Sequence, residues 1–375
     1  MKLKFDPTNK EQVEMIRDMG STNREKSAQA QEAFAAALDK VIREVIMQAS
    51  TTSGLYEDVP FVQDQSASIP LDTYYDEAAG HFTIWSQNTA GGLPSNYTHD
   101  VAELKVQTYV LESAISMAKK YAAQSRLDVV GKAVSRLLNE VMIKQDTNAW
   151  LVILKALALS STRGTQHLFR TSTADVLDLA TFNALLTRGK RINSSYANGT
   201  PDSTVSRGVT DLFISPEMTE QIRAMAYQPM NTRPGSITTS GATALGAPES
   251  FRQSVFANGG TSEIYGIQLH ELNEFGIGYI YNTIFSRFAG STTYSSSTGG
   301  SSAAFAPATE EILVGIDKSR GGLYRPVATN SDTGSTFTLM PDDQYPARSE
   351  KFGWYGKVEE GRVIADSRAL LGLIV

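Results

Sequence analysis

"SRLDVVGKAVSRLLNEVMIKQDTNAWLVILKAL", Ser125–Leu157, contains no proline, and its apolar residues fall at regular intervals. Leu127, Val130, Val134, Leu137, Leu138 and Val141 recur three and four positions apart, which lines one face of an α-helix. Ser125 followed by Asp128 is a helix-start signal, in which a hydroxyl and a carboxylate satisfy backbone N–H groups. An unbroken helix to Leu159 is about 50 Å long at ~1.5 Å per residue. Helices in globular domains are usually far shorter, so one of this length reads as a scaffold for other elements. Its most apolar part, Ala149–Leu159, is interrupted by Lys155 and is too short to span a bilayer.

Upstream, Thr22–Ser50 predicts a second helix. Thr22 and Glu25 read as a capping box. Phe34, Ala37, Leu38, Val41, Ile42, Val45 and Ile46 form the apolar stripe, with Arg24, Lys26, Lys40 and Arg43 on the polar side. Two readings fit: a helix packed on its own domain, or an arm laid across a neighbouring subunit. Between the two helices, Ser50–Leu104 holds no Lys or Arg but eight carboxylates: Glu57, Asp58, Asp64, Asp72, Asp76, Glu77, Asp100 and Glu103. Within it "SIPLDTYYDEAAGHFTIW", Ser68–Trp85, reads as a hairpin-like excursion. Tyr74, Tyr75, Phe82 and Trp85 there could stack on a base or sugar, but the surrounding carboxylates repel phosphate and favour protein contact. Leu104, Val106, Thr108 and Val110 alternate with polar neighbours and predict a long strand with those four on the buried face.

Downstream the elements shorten. Thr173–Gly189 reads as a helix with Thr181 a possible cap inside it. "TDLFISPEMTEQIRAMA" reads as a buried strand and then a helix with Pro216 in its first turn. "EIYGIQLHEL" and "IGYIYNTIF" read as strands. Asn231–Ser250 and Ala289–Thr309 are rich in Gly, Ser and Thr and predict exposed, mobile loops. The apolar ending "GRVIADSRALLGLIV" predicts a strand tied into a sheet, and its texture matches residues 103–118, which would bring both regions into one sheet.

A chain of 375 residues with 41% hydrophobic and 20% charged residues can bury a large core. A net charge of -6 disfavours a dedicated nucleic-acid binder while leaving room for a local basic face. With no cysteine there are no disulfides, thiol nucleophiles or thiolate metal sites, as expected of a protein made in a reducing cytoplasm. "MKLKFDPTNKEQ" has no apolar core and is not a signal peptide, so a soluble, unexported chain is expected. Phosphate-loop, dinucleotide-binding and nucleophile-elbow motifs are absent. "HELNE", His270–Glu274, has Glu274 where a zinc motif needs its second histidine. None of His81, His99, His167 and His270 lies at metal-ligand spacing from another. No cofactor, metal or catalytic residue is expected, although a hydrolytic site assembled in space stays open as a rival from another class.

The order of these elements resembles the major capsid protein of tailed bacteriophages, an α+β fold shared with encapsulins. The residues that carry the resemblance are Ser125–Leu157 with its Asp146-bearing end, "TDLFISPEMTEQIRAM", and "EEGRVIADSRALLGLIV". The resemblance implies an N-terminal helical arm (1–55), an extended β-hairpin E-loop (56–103), a P-domain with spine helix and β-sheet (104–162), a compact α/β A-domain (163–324) and P-domain return strands (325–375).

It further implies a structural, non-enzymatic protein that forms hexamers and pentamers of an icosahedral virion shell around double-stranded DNA, assembled in the bacterial host cytoplasm. An encapsulin-like compartment is the alternative within the fold. The E-loop would contact a neighbouring subunit through Asp72, Tyr74, Tyr75, Asp76, Glu77, Phe82 and Trp85. Candidate partners there are Lys119, Lys120, Arg126, Lys132 and Arg136. Arg24, Lys26, Lys40, Arg43, Lys132 and Arg136 are candidate lumenal basic residues. Other implied partners are separate scaffolding, portal and decoration proteins and non-specifically packaged DNA, with no membrane. Well-known cross-linked members of the family carry an E-loop lysine; its absence here makes that route chemically unavailable.

Overall fold

The computed structural model describes residues 10–21, 23–49, 51–52, 54–62, 66–71, 102–123, 127–160, 167–171, 173–177, 179–193, 208–225, 263–264, 266–296, 302–329, 336–341 and 351–375; side chains of 37–49 and of some other helix and strand positions lie outside the description. The chain divides into two units. The first comprises Met1–Leu71, Val101–Trp150 and Leu323–Val363, the second chiefly Leu151–Gly322 and Ile364–Val375.

In the first unit α1 (Lys10–Met19) precedes α2 (Arg24–Ala49). The helix α1 was not foreseen. Val13, Ile16 and Met19 fall on one side, with Ile16 and Met19 fully buried, and Gly20 closes the helix by donating to the Arg17 carbonyl at 3.1 Å. The cap of α2 is Asn23, whose Oδ1 accepts from the Glu25 N–H at 3.1 Å, in place of the expected Thr22, which lies outside the described residues. A six-stranded sheet follows the order β1 (Glu57–Val62), β12 (Leu323–Thr329), β14 (Lys351–Glu360), β13 (Phe337–Pro341), with β4 (Tyr109–Ala118) along the other side of β14 and the short β15 (Val363–Ile364) paired with β12. A separate antiparallel ribbon joins β2 (Ser68–Leu71) to β3 (Ala102–Lys105). The short α3 (Lys119–Ala123) leads to α4 (Leu127–Ser160), 34 residues and about 51 Å long by its rise.

The expected single strand over 103–110 is two, and its phase changes between them. Residues 102–105 pair with β2 and residues 109–118 with β14, so 106–108 must turn from one partner to the other. Beyond the turn Leu111, Ile115 and Met117 face the core, and Val110, expected inside, is exposed. Along β14, Gly353 is required by close approach: a Cβ there would sit 2.4 Å from the Ile115 carbonyl oxygen. The core gathers Ile16, Met19 and Phe34 from the first two helices, Val134 and Leu138 from α4, Met117 from β4 and Phe352, Trp354 and Val358 from β14. Phe34 meets Trp354 with ring centroids 5.1 Å apart. The first part of α2 therefore packs on its own unit. Each such fully buried side chain contributes about 1.5–3 kcal/mol.

The second unit holds a sheet ordered β5 (Leu168–Arg170), β16 (Leu370–Ile374), β11 (Ile312–Ile316), β6 (Asp211–Ile214), β8 (Ile267–Glu271), β7 (Glu263–Ile264). Every residue of β6, β11 and β16 is buried, as strands covered on both faces require. Ile153, Leu154, Leu157 and Ala158 in the later part of α4 are buried too, and Leu157 lies against the position a Cβ on Gly372 would take. The helices are α5 (Leu179–Asn193), α6 (Pro216–Met225) and α7 (Ile280–Ala289). Pro216 stands at the first position of α6, and Ser215 Oγ caps it by accepting from the Met218 N–H at 3.1 Å.

Four expectations are corrected here. The strand expected over 277–285 is largely α7, because Tyr281, Phe285 and Ala289 are buried four residues apart, a helical period. The helix expected from Thr173 begins at Leu179; before it Asp175 adopts φ 57°, incompatible with a continuing helix. The stretch 289–309 contains a ribbon of β9 (Thr293–Tyr294) and β10 (Ala303–Ala304), with Tyr294 and Phe305 buried around Phe285, while 231–250 lies outside the described residues. Finally, the chain's last strand, β16, pairs with β11 and β5 in the second unit, and the partner of 109–118 is β14.

Candidate functional site

The strongest concentration of polar contacts in the first unit surrounds the root of the segment that leads to the β2–β3 ribbon. Asp146, on the spine helix α4, accepts from the backbone N–H of Thr51 at 3.2 Å and of Thr52 at 3.3 Å, and from Thr52 Oγ1 at 2.8 Å. One turn on, the Ala149 carbonyl accepts from the Tyr56 hydroxyl at 3.0 Å. The chain leaving α2 is thus fastened to the spine at two successive turns before it enters β1, which runs parallel to β12 from Glu57↔Tyr324 to Val62↔Thr329.

Beneath this fastening is a buried charge cluster. Glu360 is fully buried, and its Oε2 accepts from Arg325 Nε and Nη2, both at 2.8 Å, from Gln145 Nε2 at 3.2 Å and from Arg362 Nη2 at 3.4 Å. Its Oε1 accepts from the Tyr109 hydroxyl at 2.9 Å. Arg325 also reaches Asp58 at 3.5 Å, and the Arg362 guanidinium lies 4.8 Å over the Tyr56 ring. Burial pushes the Tyr109 phenol up to about 12, reinforced by the Glu360 charge, and burial likewise raises Tyr56 above the ordinary phenol range. Both hydroxyls therefore stay protonated donors. Nothing in the cluster activates a nucleophile or offers an open coordination position; its chemistry is that of a clamp joining β1, β4, α4, β12 and β14.

The residues singled out from sequence fall differently. Asp72, Tyr74, Tyr75, Asp76, Glu77, Phe82 and Trp85 lie outside the described residues, as do Arg126 and the side chains of Lys40 and Arg43. Arg24 and Lys26 are exposed at the start of α2. Lys132 and Arg136 are exposed one turn apart on α4; Lys119 is half-buried and Lys120 exposed on α3, the latter 5.2 Å over the Tyr121 ring. His81 and His99 lie outside the described residues; His167 is buried with Nδ1 3.0 Å from the Leu370 carbonyl. His270 stacks on Phe213 and sets Nε2 2.7 Å from Asp211 Oδ1, an oxygen shared with Lys318 Nζ at 2.7 Å. Burial opposes ionisation of Asp211, but hydrogen bonds from His270, Lys318 and Thr210 with the Lys318 charge overcome it and hold the carboxyl at about 2. That pairing ties β6, β8 and the end of β11 together. Among the described residues no group of three His, Cys, Asp or Glu could hold a metal, and no helix is long and apolar enough to cross a membrane.

Sequence reading had marked Asp146 but missed Tyr109, Arg325, Glu360 and Arg362. The available signal was a charged "EEGR" at 359–362, followed by the apolar run that forms the last strand.

No family model and no curated protein matches the chain. Solved structures do: the architecture is that of a viral shell protein. The capsid of the cyanophage P-SCSP1u is similar over 87% of this chain and 88% of that one, with TM-score 0.51 and 13% identity. A structure from Microbacterium phage Oxtober96 matches over 87% and 90% at TM-score 0.46 and 12% identity. The encapsulin complex from Synechococcus elongatus matches over 85% and 84% at TM-score 0.40 and 10% identity. The chain has the α+β fold of the tailed-phage major capsid protein.

Proposed function

We propose that this protein is a non-enzymatic shell subunit that assembles with copies of itself into hexamers and pentamers of an icosahedral capsid enclosing double-stranded DNA. The observation that carries the reading is the likeness of 87% of the chain to a cyanophage capsid structure. Fold alone does not assign chemistry, but for a shell the fold is the working part, and the clamp at Asp146 and Glu360 suits it. A long excursion used as a lever on a neighbour needs a rigid root, and in this reading the ribbon β2–β3 would serve as its base. In this reading 1–55 is the arm, 56–103 the E-loop, 104–162 and the return strands the P-domain, and 163–324 the A-domain. Portal, scaffolding and decoration proteins are its further partners.

Negative-stain microscopy of the purified protein tests the assignment. Closed shells are expected, and a stable monomer or dimer at all concentrations would overturn it. Nucleic acid inside shells made in the host supports a virion, whereas protein cargo would point to a compartment. The E-loop contact is tested separately by Asp72→Lys, Asp76→Lys and Glu77→Lys together. Exposed ion pairs are worth only about 0.2–1 kcal/mol each, but they recur at every interface, so assembly should weaken and its salt dependence change. Unaltered assembly would remove the electrostatic part of the reading.

A further inference from the structure

We propose that an acidic cleft in the second unit is a socket for an arginine side chain presented by a neighbouring copy of this chain. The cleft, about 370 Å³, is lined by Asp175, Glu217, Glu220 and Glu311 with Gln221 and Ile277 among them, and no cation lines it among the described residues. Glu311 is the informative member. It is 1% exposed, and among the described residues the Ser215 hydroxyl is the one group that eases its charge; neither carboxylate oxygen makes a hydrogen bond of good geometry and no cation pairs with it. Its backbone is held in place by two hydrogen bonds exchanged with Val375, at 2.9 and 2.8 Å. A buried carboxylate without a cation is among the costlier arrangements in a protein. Burial raises the Glu311 carboxyl to about 7; the Ser215 hydroxyl eases this in part, and the charges of Glu217 and Asp175 add to it.

The remaining groups are already fixed. Gln221 is committed on both sides, donating to the Asp175 carbonyl at 2.8 Å and accepting from the Leu177 N–H at 2.7 Å. Gly276, at φ +116°, lets the chain pass close to Glu217, where a Cβ would meet the carboxylate at 3.1 Å.

The chemistry selects the occupant. The carboxylates are not grouped closely enough to hold a metal ion. A guanidinium has five donors in a planar fork and is the cation that best bridges separated carboxylates. The rim argues for a protein carrier: Ile277, Tyr279 and Ile280 are 37%, 50% and 52% exposed beside the cleft, an apolar border suited to an interface. A second copy supplies exposed arginines such as Arg287, so charge complementarity is available from this chain itself. The inference rests on the self-assembling reading above.

The test compares Glu311→Gln, and the exposed pair Glu217→Gln with Glu220→Gln, against wild type in two measurements. Glu311 has a folded pKa above its unfolded value, so its stabilising contribution is lost as pH rises through about 7. Glu311→Gln should therefore raise the thermal midpoint of the unassembled subunit at pH 8 while increasing the concentration needed for assembly by about tenfold. Wild-type assembly should weaken as pH falls below about 7, and this step should vanish in Glu311→Gln. The exposed pair should shift assembly in the same direction without a fall in thermal midpoint. If wild type forms no shells, the functional reading fails first. If wild type assembles but the variants assemble at the same concentration with the same pH response, the socket is overturned. A density map of the shell showing the cleft filled by the same chain, or by solvent, overturns it as well.

Discussion

Removing the charge of Glu360 should unfold the first unit at conditions the wild type survives. The carboxylate holds five hydrogen bonds, three of them from two guanidinium groups, at a position with no exposed surface. Glu360→Gln preserves the shape but turns one acceptor into a donor facing Arg325 and Arg362. Both arginines are themselves at most 9% exposed, so Arg362 loses its buried counter-ion and Arg325 keeps only the exposed Asp58 carboxylate at 3.5 Å. Breaking a buried pair from one side costs about 3–5 kcal/mol, a large part of the ~5–15 kcal/mol that stabilises a typical domain. In urea, with a slope of about 2–3 kcal/mol per M, the midpoint of the unassembled subunit should fall by about 1 M or more. Glu359→Gln is the internal control: its partner is the Thr108 hydroxyl at 2.9 Å, partly exposed, and about 1 kcal/mol or less is expected. Adding Arg325→Met to Glu360→Gln should recover part of the loss, since the second change removes the stranded charge. A Glu360→Gln midpoint within error of the Glu359→Gln midpoint would refute the clamp.

Phe34→Ala removes a buried ring packed at a tilt against Trp354 and should cost about 3–5 kcal/mol in chemical denaturation of the subunit; an unchanged midpoint would mean that the arm does not pack on its own unit. Gly353→Ala places a methyl 2.4 Å from the Ile115 carbonyl and should cost about 1–3 kcal/mol, read as a lowered thermal midpoint, with no change refuting the close approach. Asp211 has a folded pKa of about 2 against an ordinary 3.8, so its contribution is present above the higher value and is lost as pH falls through the lower. Acid unfolding of Asp211→Asn should accordingly lack that pH-dependent loss between about 4 and 2, and an acid limb identical to wild type would sink this account.

The spine helix, the arm helix and the buried strand β6 were legible because each carries a long run of one period, and period survives without knowledge of the partner. The second unit's α7 was not. Residues 277–285 are aromatic and β-branched, and over nine residues a strand and a buried helix satisfy the same pattern; only the third buried position, Ala289, distinguishes them. The break at 106–108 was hidden for another reason: alternation continues on either side of it, and the phase change arises because β3 and β4 serve different partners. The clamp was least legible of all. Glu360 meets Tyr109 across 251 positions and Gln145 across 215, and local sequence does not encode which distant charges will share a cavity.

The clamp also bears on the cation-free stretch from Ser50 to Leu104. Of its three carboxylates among the described residues, Glu57, Asp58 and Glu103, Asp58 reaches a cation, and that cation, Arg325, is already bound to Glu360. The arginines at the root of the excursion are thus consumed in holding it, with Arg362 turned inward to Glu360 and the Tyr56 ring. They are nearly inaccessible and cannot serve the acidic residues farther along. Several cations do remain exposed in this unit, among them Arg24 and Lys26 on α2, Lys105 on β3, Lys120 on α3 and Lys132, Arg136 and Lys144 on α4. In the proposed assembly the acid-rich segment would meet cations on another copy, because the two arginines of the clamp are held by Glu360. Screening by salt should act on the contacts between copies and spare the buried cluster beneath them.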